Sequence, residues 1–382
     1  VTMREIVYVL GGGQTRFGEL WESSLLSLIR EAVDRAIGNT GILPTDIDAV
    51  VIGNMLGGEA AEQAHLGTLV SGLLPHHPPA LRVEAACASG GLAIHTACAF
   101  LESGKAETVL VIGAEKLTDI PGDSVTGALM HAADAEKDTP SGLTFAGVFA
   151  LTALSYMHTY AITRDDLSLV SFSSHRAAVS NPFAQFRREI PVETISKSPL
   201  IADPLRLLDC SPISDGAAAV ILSTRRESPV RIAASQLASE SLSLIDRPGI
   251  TSFGSTRTAM SHALAEAGWD RNSIDCIELH DCFSVATLIH LEDLGYCEEG
   301  EAIRLFKQCD TESSGSLPVN VSGGLKACGH PIGATGVKQI LDCYKQLTKQ
   351  APNQVKGAAR ALAHNLGGVG ATCVIHLLES SP

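Results

Sequence analysis

The chain has few aromatic residues, few charges and no basic excess. Aromatics make up 4% and charged residues 18% of 382 residues, against 45% hydrophobic residues and 35 glycines. Small side chains must therefore do much of the packing, which suits helices lying close together inside a core. Lys plus Arg number 28 against 42 Asp plus Glu, a net charge of −14. Proteins that neutralise phosphates along a nucleic acid carry the opposite sign, so no nucleic-acid partner is expected. A small anionic ligand held by a local patch or a helix N-terminus stays open. Ten cysteines are too dilute for a disulfide scaffold, and no C-x-x-C pair occurs to hold zinc or run a thioredoxin-type exchange. Cys98, Cys343 and Cys373 stand in apolar runs, as small core residues do. This usage fits a reducing compartment, and a cytoplasmic protein is expected. No basic segment followed by a cleavable apolar run is visible near Val1–Met3, so no signal peptide is expected. The longest apolar stretch, about 145–157, is too short to span a bilayer and is interrupted by Thr152 and Ser155, so no membrane association is expected.

What is present alternates. A strand over 6–10 runs into Gly11-Gly12-Gly13, read as a tight strand exit, and a helix follows over 24–38. The β-branched run at 46–53 reads as a buried strand. A helix over 93–101, apolar on nearly every side, belongs in the centre of the molecule, and 108–113 is another buried strand. Alternating strands and helices predict a largely parallel sheet covered by helices. From 118 to 209 the pattern lapses into helix-like pieces with Pro, Ser and Asn and no regular strands, which reads as an insertion lying over the body. The regular pattern resumes at 214–222, and Pro229 marks a linker. A shift of 227 residues then lays Ala32, Ala36, Gly41, Ile47 and Asp48 on Ala259, Ala263, Gly268, Ile274 and Asp275 without a gap. The same element order recurs in both halves, so a duplicated core is expected, with its site where the copies meet and groups from each.

Three stretches carry chemistry. Glu84-Ala85-Ala86-Cys87-Ala88-Ser89-Gly90-Gly91 places a thiol among small residues just before the central helix, where the helix dipole and free N–H groups are expected to favour thiolate; a buried structural cysteine is the alternative. Glu278-Leu279-His280-Asp281-Cys282-Phe283-Ser284 ends an apolar strand, the place where open α/β folds bind ligands. It reads as a reactive loop, a partial metal site or a satisfied buried histidine. Asn320 to Gly336 is a glycine-rich loop presenting His330. Gly324 and Gly329 have phosphate-loop spacing, but His330-Pro331 stands where Lys-Ser/Thr is required, so no nucleotide loop is expected. A fourth stretch, His364-Asn365-Leu366-Gly367-Gly368-Val369-Gly370, offers backbone N–H groups before the last strand. Together these give a cysteine in one half and His, Cys and His in the other, an arrangement for acyl transfer through a thioester.

These stretches resemble the thiolase superfamily over nearly the whole chain. Ala86-Cys87-Ala88-Ser89-Gly90 looks like the segment of the acylated nucleophile, Gly329-His330-Pro331 like the G-H-P motif, and Ser214-Asp215-Gly216-Ala217-Ala218-Ala219 like the strand that rejoins the core after the loop domain. Many thiolases carry N-E-A-F where this chain has His280-Asp281-Cys282-Phe283, and C-x-G where it has Asn365-Leu366-Gly367. The H-D-C-F form is similar to sterol-carrier-protein-type and archaeal acetoacetyl-CoA thiolases.

The resemblance implies a thiolase-like fold of duplicated α/β lobes, layered α-β-α-β-α, with an inserted loop domain. It implies an N-terminal lobe of residues 1–117 and 210–228, a loop domain of 118–209 covering the coenzyme A site, and a C-terminal lobe of 229–382. It implies catalytic roles for Cys87 (nucleophile), His330 (its base), His280 (holding a thioester oxygen with His330) and Cys282 (acid/base), with backbone N–H groups of Cys87 and Gly367 as an oxyanion hole. The expected reaction makes or thiolyses a 3-oxoacyl-CoA, most directly acetoacetyl-CoA. No metal and no cofactor beyond coenzyme A thioesters as substrates is implied. Arg187, Arg188 and Lys197 are the insertion's cations available to coenzyme A phosphates, or solvated surface charges. Implied partners are acetyl-CoA, acyl-CoA and CoA, further copies of the chain in a homodimer or homotetramer, and an HMG-CoA synthase with a small OB-fold, zinc-ribbon bridging protein. A ketoacyl-synthase-type condensing enzyme, which needs no second cysteine, and a non-catalytic acyl-CoA-binding scaffold are the alternatives.

Overall fold

The computed structural model describes residues 5–381, so Val1–Met3 and the outer limits of the two expected lobes lie outside it. β1 (Val7–Gln14) leads through α1 (Leu25–Thr40) to β2 (Ala49–Gly53), and the short helices α2 (Gly57–Ala60) and α3 (Leu66–Ser71) lead to β3 (Ala80–Val83), α4 (Ser89–Glu102) and β4 (Thr108–Glu115). An excursion follows with α5 (Gly122–Leu129), α6 (Phe145–Tyr160), α7 (Arg164–Ala178), α8 (Val192–Ser196), β5 (Leu200–Ala202) and β6 (Leu205–Arg206), before β7 (Gly216–Ser223) closes the first half. The second half runs through β8 (Val230–Ser239), α9 (Gly254–Ala267), β9 (Cys276–Glu278), α10 (Ser284–Asp293), α11 (Ala302–Lys307), α12 (Gly324–Cys328), α13 (Ile332–Leu347), β10 (Arg360–Gly367) and β11 (Thr372–Ser380).

The strands lie in the order β3-β2-β4-β7-β1-β8-β11-β10-β9. The halves join through β1 and β8, which pair at Val7–Ile232 and Tyr8–Arg231. The order is mirrored about this seam, with Val319 bridging to Ile277 where the second half needs a counterpart of β3. Strand side chains alternate between faces, and the alternation sorts the core into layers. Val51, Val109, Val111, Val220, Ala361 and Ala363 face α4 and α13 between the two half-sheets. Val50, Ile52, Leu110, Ile112 and Ile221 face α1 and α3 outside the first half. Leu362, Ile375 and Leu377 face α9 and α10 outside the second. The result is the expected five-layer α-β-α-β-α body.

The duplication extends to hydrogen bonds. Gly41 (φ +63°) and Gly268 (φ +66°) end α1 and α9 in the left-handed conformation that glycine adopts freely. Asp48 Oδ2 accepts the N–H groups of Glu107 and Thr108 at the start of β4. Asp275 Oδ2 accepts those of Ala359 and Arg360 at the start of β10. The repeated aspartate thus pins the same strand junction in both halves.

Three expectations need correction. The sheet is not largely parallel: β7 and β11 enter the middle of each half against their neighbours, so β4–β7, β7–β1, β1–β8, β8–β11 and β11–β10 pair antiparallel, and only β3–β2, β2–β4 and β10–β9 run parallel. Gly11-Gly12-Gly13 is not a strand exit: β1 continues through it, because a side chain at Gly12 would meet Ala219 O at 2.2 Å and one at Gly13 would meet Arg35 Cβ at 2.4 Å. Glycine here lets strand, neighbour and helix approach. The excursion also contains a strand pair, the short antiparallel hairpin β5–β6. It lies on the second half, where Phe149 of α6 stacks on Phe283 at 4.4 Å between centroids. The long apolar run is thus core helix, and among the described residues no single helix is long and apolar enough to cross a membrane.

α4 and α13 cross with almost no side chain between them. A Cβ on Gly336 would sit 2.1 Å from Gly91 N and 2.3 Å from Asn365 Oδ1. Gly336→Ala must push these helices apart, and overpacking of this kind costs about 1–3 kcal/mol. Its thermal midpoint should fall together with turnover, and an unchanged midpoint would contradict the close crossing.

Candidate active site

Cys87 and His330 occupy equivalent places in the two halves. Cys87 precedes Ala88, the N-cap of α4, and His330 precedes Pro331, the N-cap of α13. The cysteine loop is tight: Ala86 has φ +49°, a conformation uncommon for a residue with a side chain. Ser89 holds the turn, its hydroxyl donating to Ala86 O at 2.6 Å and accepting the Ala85 N–H at 3.0 Å. On the other side, the His330 N–H donates to Ser214 Oγ at 2.9 Å, and the Ser214 hydroxyl donates to Gln185 Oε1 at 2.6 Å. His330 Nδ1 lies 2.7 Å from Thr335 Oγ1, whereas its buried Nε2 has no partner.

The loop between β9 and α10 brings His280 and Cys282. Asp281 anchors it, accepting the Leu325 N–H at 2.6 Å and the Ser174 hydroxyl at 3.3 Å. Asp281 thus fixes the loop to α7 and α12. Cys282 O accepts the Ser211 N–H at 2.8 Å. Asn365 of β10 binds across the halves: it lies 2.9 Å from Gly91 N, 3.0 Å from Cys87 O and 3.1 Å from His280 Nδ1. Cys87 Sγ and one ring nitrogen each of His280 and His330 lie within 4.8 Å of one another. The two imidazoles meet edge to face, centroids 5.1 Å apart.

A cavity of about 400 Å³ reaches Cys87, Cys282 and His330, and His280 stands directly behind them. Its walls are mostly apolar and come largely from the insertion and its flanks, among them Val125, Phe145, Ile201 and Ile213. Arg187, Arg188 and Lys197 do not line it. Lys197 instead pairs with Glu193 at 2.6 Å. Gly367 is the last residue of β10, paired with Thr372. The chain turns at Gly368 (φ +59°), which lines the cavity beside Cys87 and, with Gly367, a smaller recess.

The electrostatics also depart from expectation. Burial pushes the Cys87 thiol up to about 12, and the negative charges of Glu115 and Glu84 add to the effect. The N–H groups of Gly368 and Cys87 pull it down, but they do not offset desolvation. Position before a helix is thus not enough to make a resting thiolate. Burial takes His330 down to about 3 and His280 well below its ordinary range, and it pushes the Cys282 thiol well up. The resting site is electrically neutral, with thiols beside bare imidazoles.

Sequence reasoning passed over Glu115. Fully buried at the end of β4, it accepts four N–H bonds: from Asn54 Nδ2, Leu56, Met55 and Gly333. It thereby ties the first residues of α13, just after His330, to the first half. An acid closing an apolar strand was the available signal. Thr335 and Ser214 stood inside motifs already noted, but their bonds to His330 depend on the fold.

Comparison with known proteins agrees with this geometry. The family model "Thiolase, N-terminal domain" matches residues 7–226, and "Thiolase C-terminal domain-like" matches 237–380. The chain is 43% identical to an acetyl-CoA acetyltransferase of Methanothermobacter thermautotrophicus, covering 99% of this chain and 100% of that one. It is 39% identical to an acetyl-CoA acetyltransferase of Methanocaldococcus jannaschii, covering 99% of each. Among solved structures it resembles the Ltp2-ChsH2(DUF35) aldolase, with a TM-score of 0.84 and 25% identity, covering 100% of this chain and 99% of that one.

The neutral site has a measurable consequence. With Cys87 at about 12, its alkylation by iodoacetamide, followed by peptide mass, should climb about tenfold per pH unit from 7 to 9. A rate already level below pH 8 would reveal a resting thiolate and contradict the neutral site.

Proposed function

The chain belongs to the thiolase family, and from that premise we propose that it is an acetyl-CoA C-acetyltransferase that makes or thiolyses 3-oxoacyl-CoA, most directly acetoacetyl-CoA, through an acyl thioester on Cys87. The observation that carries this reading is the convergence of Cys87, Cys282 and His330 from both halves on one apolar cavity, with a His280 ring nitrogen within 4.8 Å of the Cys87 sulfur and a His330 nitrogen.

His330 Nε2 takes the proton of Cys87 as the sulfur attacks the thioester carbonyl of an acyl-CoA, so that charge separates only during reaction. The backbone N–H groups of Cys87 and Gly367 are the proposed receivers of the developing oxyanion. Cys282 holds its proton at rest, and the pushed-up thiol suits delivering it to the departing CoA sulfur. CoA leaves as the thiol, and Cys282 is left as a thiolate. Acetyl-CoA then enters with its thioester oxygen toward His330 and His280. Cys282 takes an α-proton, and the carbanion attacks the acyl carbonyl on Cys87. A carbon–carbon bond forms as the carbon–sulfur bond to Cys87 breaks, and His330 returns the proton to the Cys87 sulfur. Thiolysis runs the same steps backwards. The second thiol is what favours this reading over a ketoacyl synthase.

CoA thioesters are sufficient for this chemistry, with no resident metal or cofactor. Ten free cysteines suit a reducing, cytoplasmic setting. The insertion, residues 118–209, is proposed to cover CoA. A homodimer or homotetramer is proposed, and the half-buried edge strand β3, immediately before the Cys87 loop, supports pairing with a second copy. The name of the similar aldolase joins it to a DUF35 protein, which supports a bound partner here. An HMG-CoA synthase with a small OB-fold, zinc-ribbon protein is the proposed assembly.

Purified protein with acetoacetyl-CoA and CoA should consume the 3-oxoacyl thioester, and Cys87→Ala should abolish this; retained turnover would remove Cys87 from the mechanism. Cys282→Ala should still take an acyl group, seen by intact mass, though more slowly for want of a proton donor to the leaving CoA, and should lose condensation by at least about 100-fold, the size expected for a proton-transfer group. Normal condensation in that variant would reassign the acid/base role.

A further inference from the structure

Two histidines of the site are neutral, buried and side by side, yet the reaction asks opposite things of them. One must accept a proton from Cys87, and the other must donate a hydrogen bond to a thioester oxygen. Which nitrogen of each ring carries the proton decides whether they can, and the hydrogen bonds around Asn365 settle it.

The Gly91 backbone N–H can only donate, and its partner at 2.9 Å is Asn365 Oδ1. This fixes the amide orientation, with Nδ2 on the opposite side. There, Nδ2 lies 3.0 Å from Cys87 O, a carbonyl that can only accept, so the two bonds agree. The second Nδ2 proton points at His280 Nδ1, 3.1 Å away. That nitrogen must therefore present its lone pair, and the single proton of a neutral ring is on Nε2. His330 is set the other way. With the Thr335 hydroxyl proton on Pro331 O at 3.2 Å, Thr335 Oγ1 accepts from His330 Nδ1, and the partnerless Nε2 is bare.

We propose that Asn365 is a positioning residue that holds the His280 proton on Nε2, making this ring the hydrogen-bond donor to the thioester oxygen while His330 remains the acceptor for Cys87. The proposal rests on the thiolase reading and deepens it, because it assigns a task to the asparagine that stands where many relatives carry a cysteine.

The test is nitrogen NMR of the full chain labelled with ¹⁵N-histidine, with His280 assigned by its loss in His280→Gln. In the wild type, His280 Nδ1 should resonate as a bare nitrogen. In Asn365→Asp a carboxylate oxygen faces Nδ1, so this signal should move to that of an N–H. Condensation kcat should fall about 100-fold, as when one oxyanion donor is lost, with KM little changed. A protonated Nδ1 in the wild type overturns the proposal even if the variant does not fold, and so does an Asp variant that condenses at the wild-type rate. If the wild type shows the bare Nδ1 but no turnover of acetoacetyl-CoA, the thiolase reading fails and the proton assignment stands.

Discussion

Backbone touches backbone where α4 meets α13. A Cβ on Gly90 would lie 2.6 Å from Gly333 O, and one on Gly113 would lie 2.2 Å from the same oxygen. No side chain larger than hydrogen fits at these points, so the two halves approach as closely as main chains permit. Everything chemical follows from that approach. Cys87 and His330 each precede one of these helices, and they are within reach of each other only because the helices cross without spacers. The glycine content and scarcity of aromatics are the compositional imprint of this crossing.

The same closeness governs the charges. A site pressed between two sheets and three helix layers excludes water, and exclusion of water disfavours ions more than two helix N-termini favour them. The thiols stay protonated and the imidazoles stay bare. In the proposed mechanism charge then appears only during reaction, when an acyl group fills the cavity. Glu115 is subject to the same effect: burial pushes its carboxyl up to about 7, against the pull of the N–H groups it accepts. Its four N–H partners satisfy it, and what it contributes is the seating of α13.

Duplication explains why the site is made of unequal parts. The repeated aspartates Asp48 and Asp275 keep the two halves alike at the strand junctions, far from the chemistry. Away from these junctions the copies diverge: one carries Cys87 ahead of its central helix, the other His330 ahead of the corresponding helix. The β9–α10 loop adds His280 and Cys282 from the second half alone. Asn365 joins the copies, holding α4 of the first and His280 of the second with one amide.

Much of this was legible in the residues themselves. Apolar alternation marked the buried strands, an all-apolar helix marked the centre, the register between Ala32–Asp48 and Ala259–Asp275 marked the duplication, and small residues around Cys87 and His330 marked the reactive loops. These are local properties, written in the order of side chains along the chain. Three features were not legible. The glycine triplet of β1 read as an exit because glycine freedom and glycine closeness look alike until the neighbours are placed. The sheet read as largely parallel because strand direction depends on where β7 and β11 enter it, which the order of elements does not record. The state of Cys87 read as thiolate because a helix start is visible in sequence and burial is not. The sequence by itself determined which groups exist and which element carries each. Only the tertiary structure decided their protonation, their proton-bearing nitrogens and their partners, because these depend on desolvation and on bonds between segments as far apart as Gly91 and Asn365, which no local pattern records.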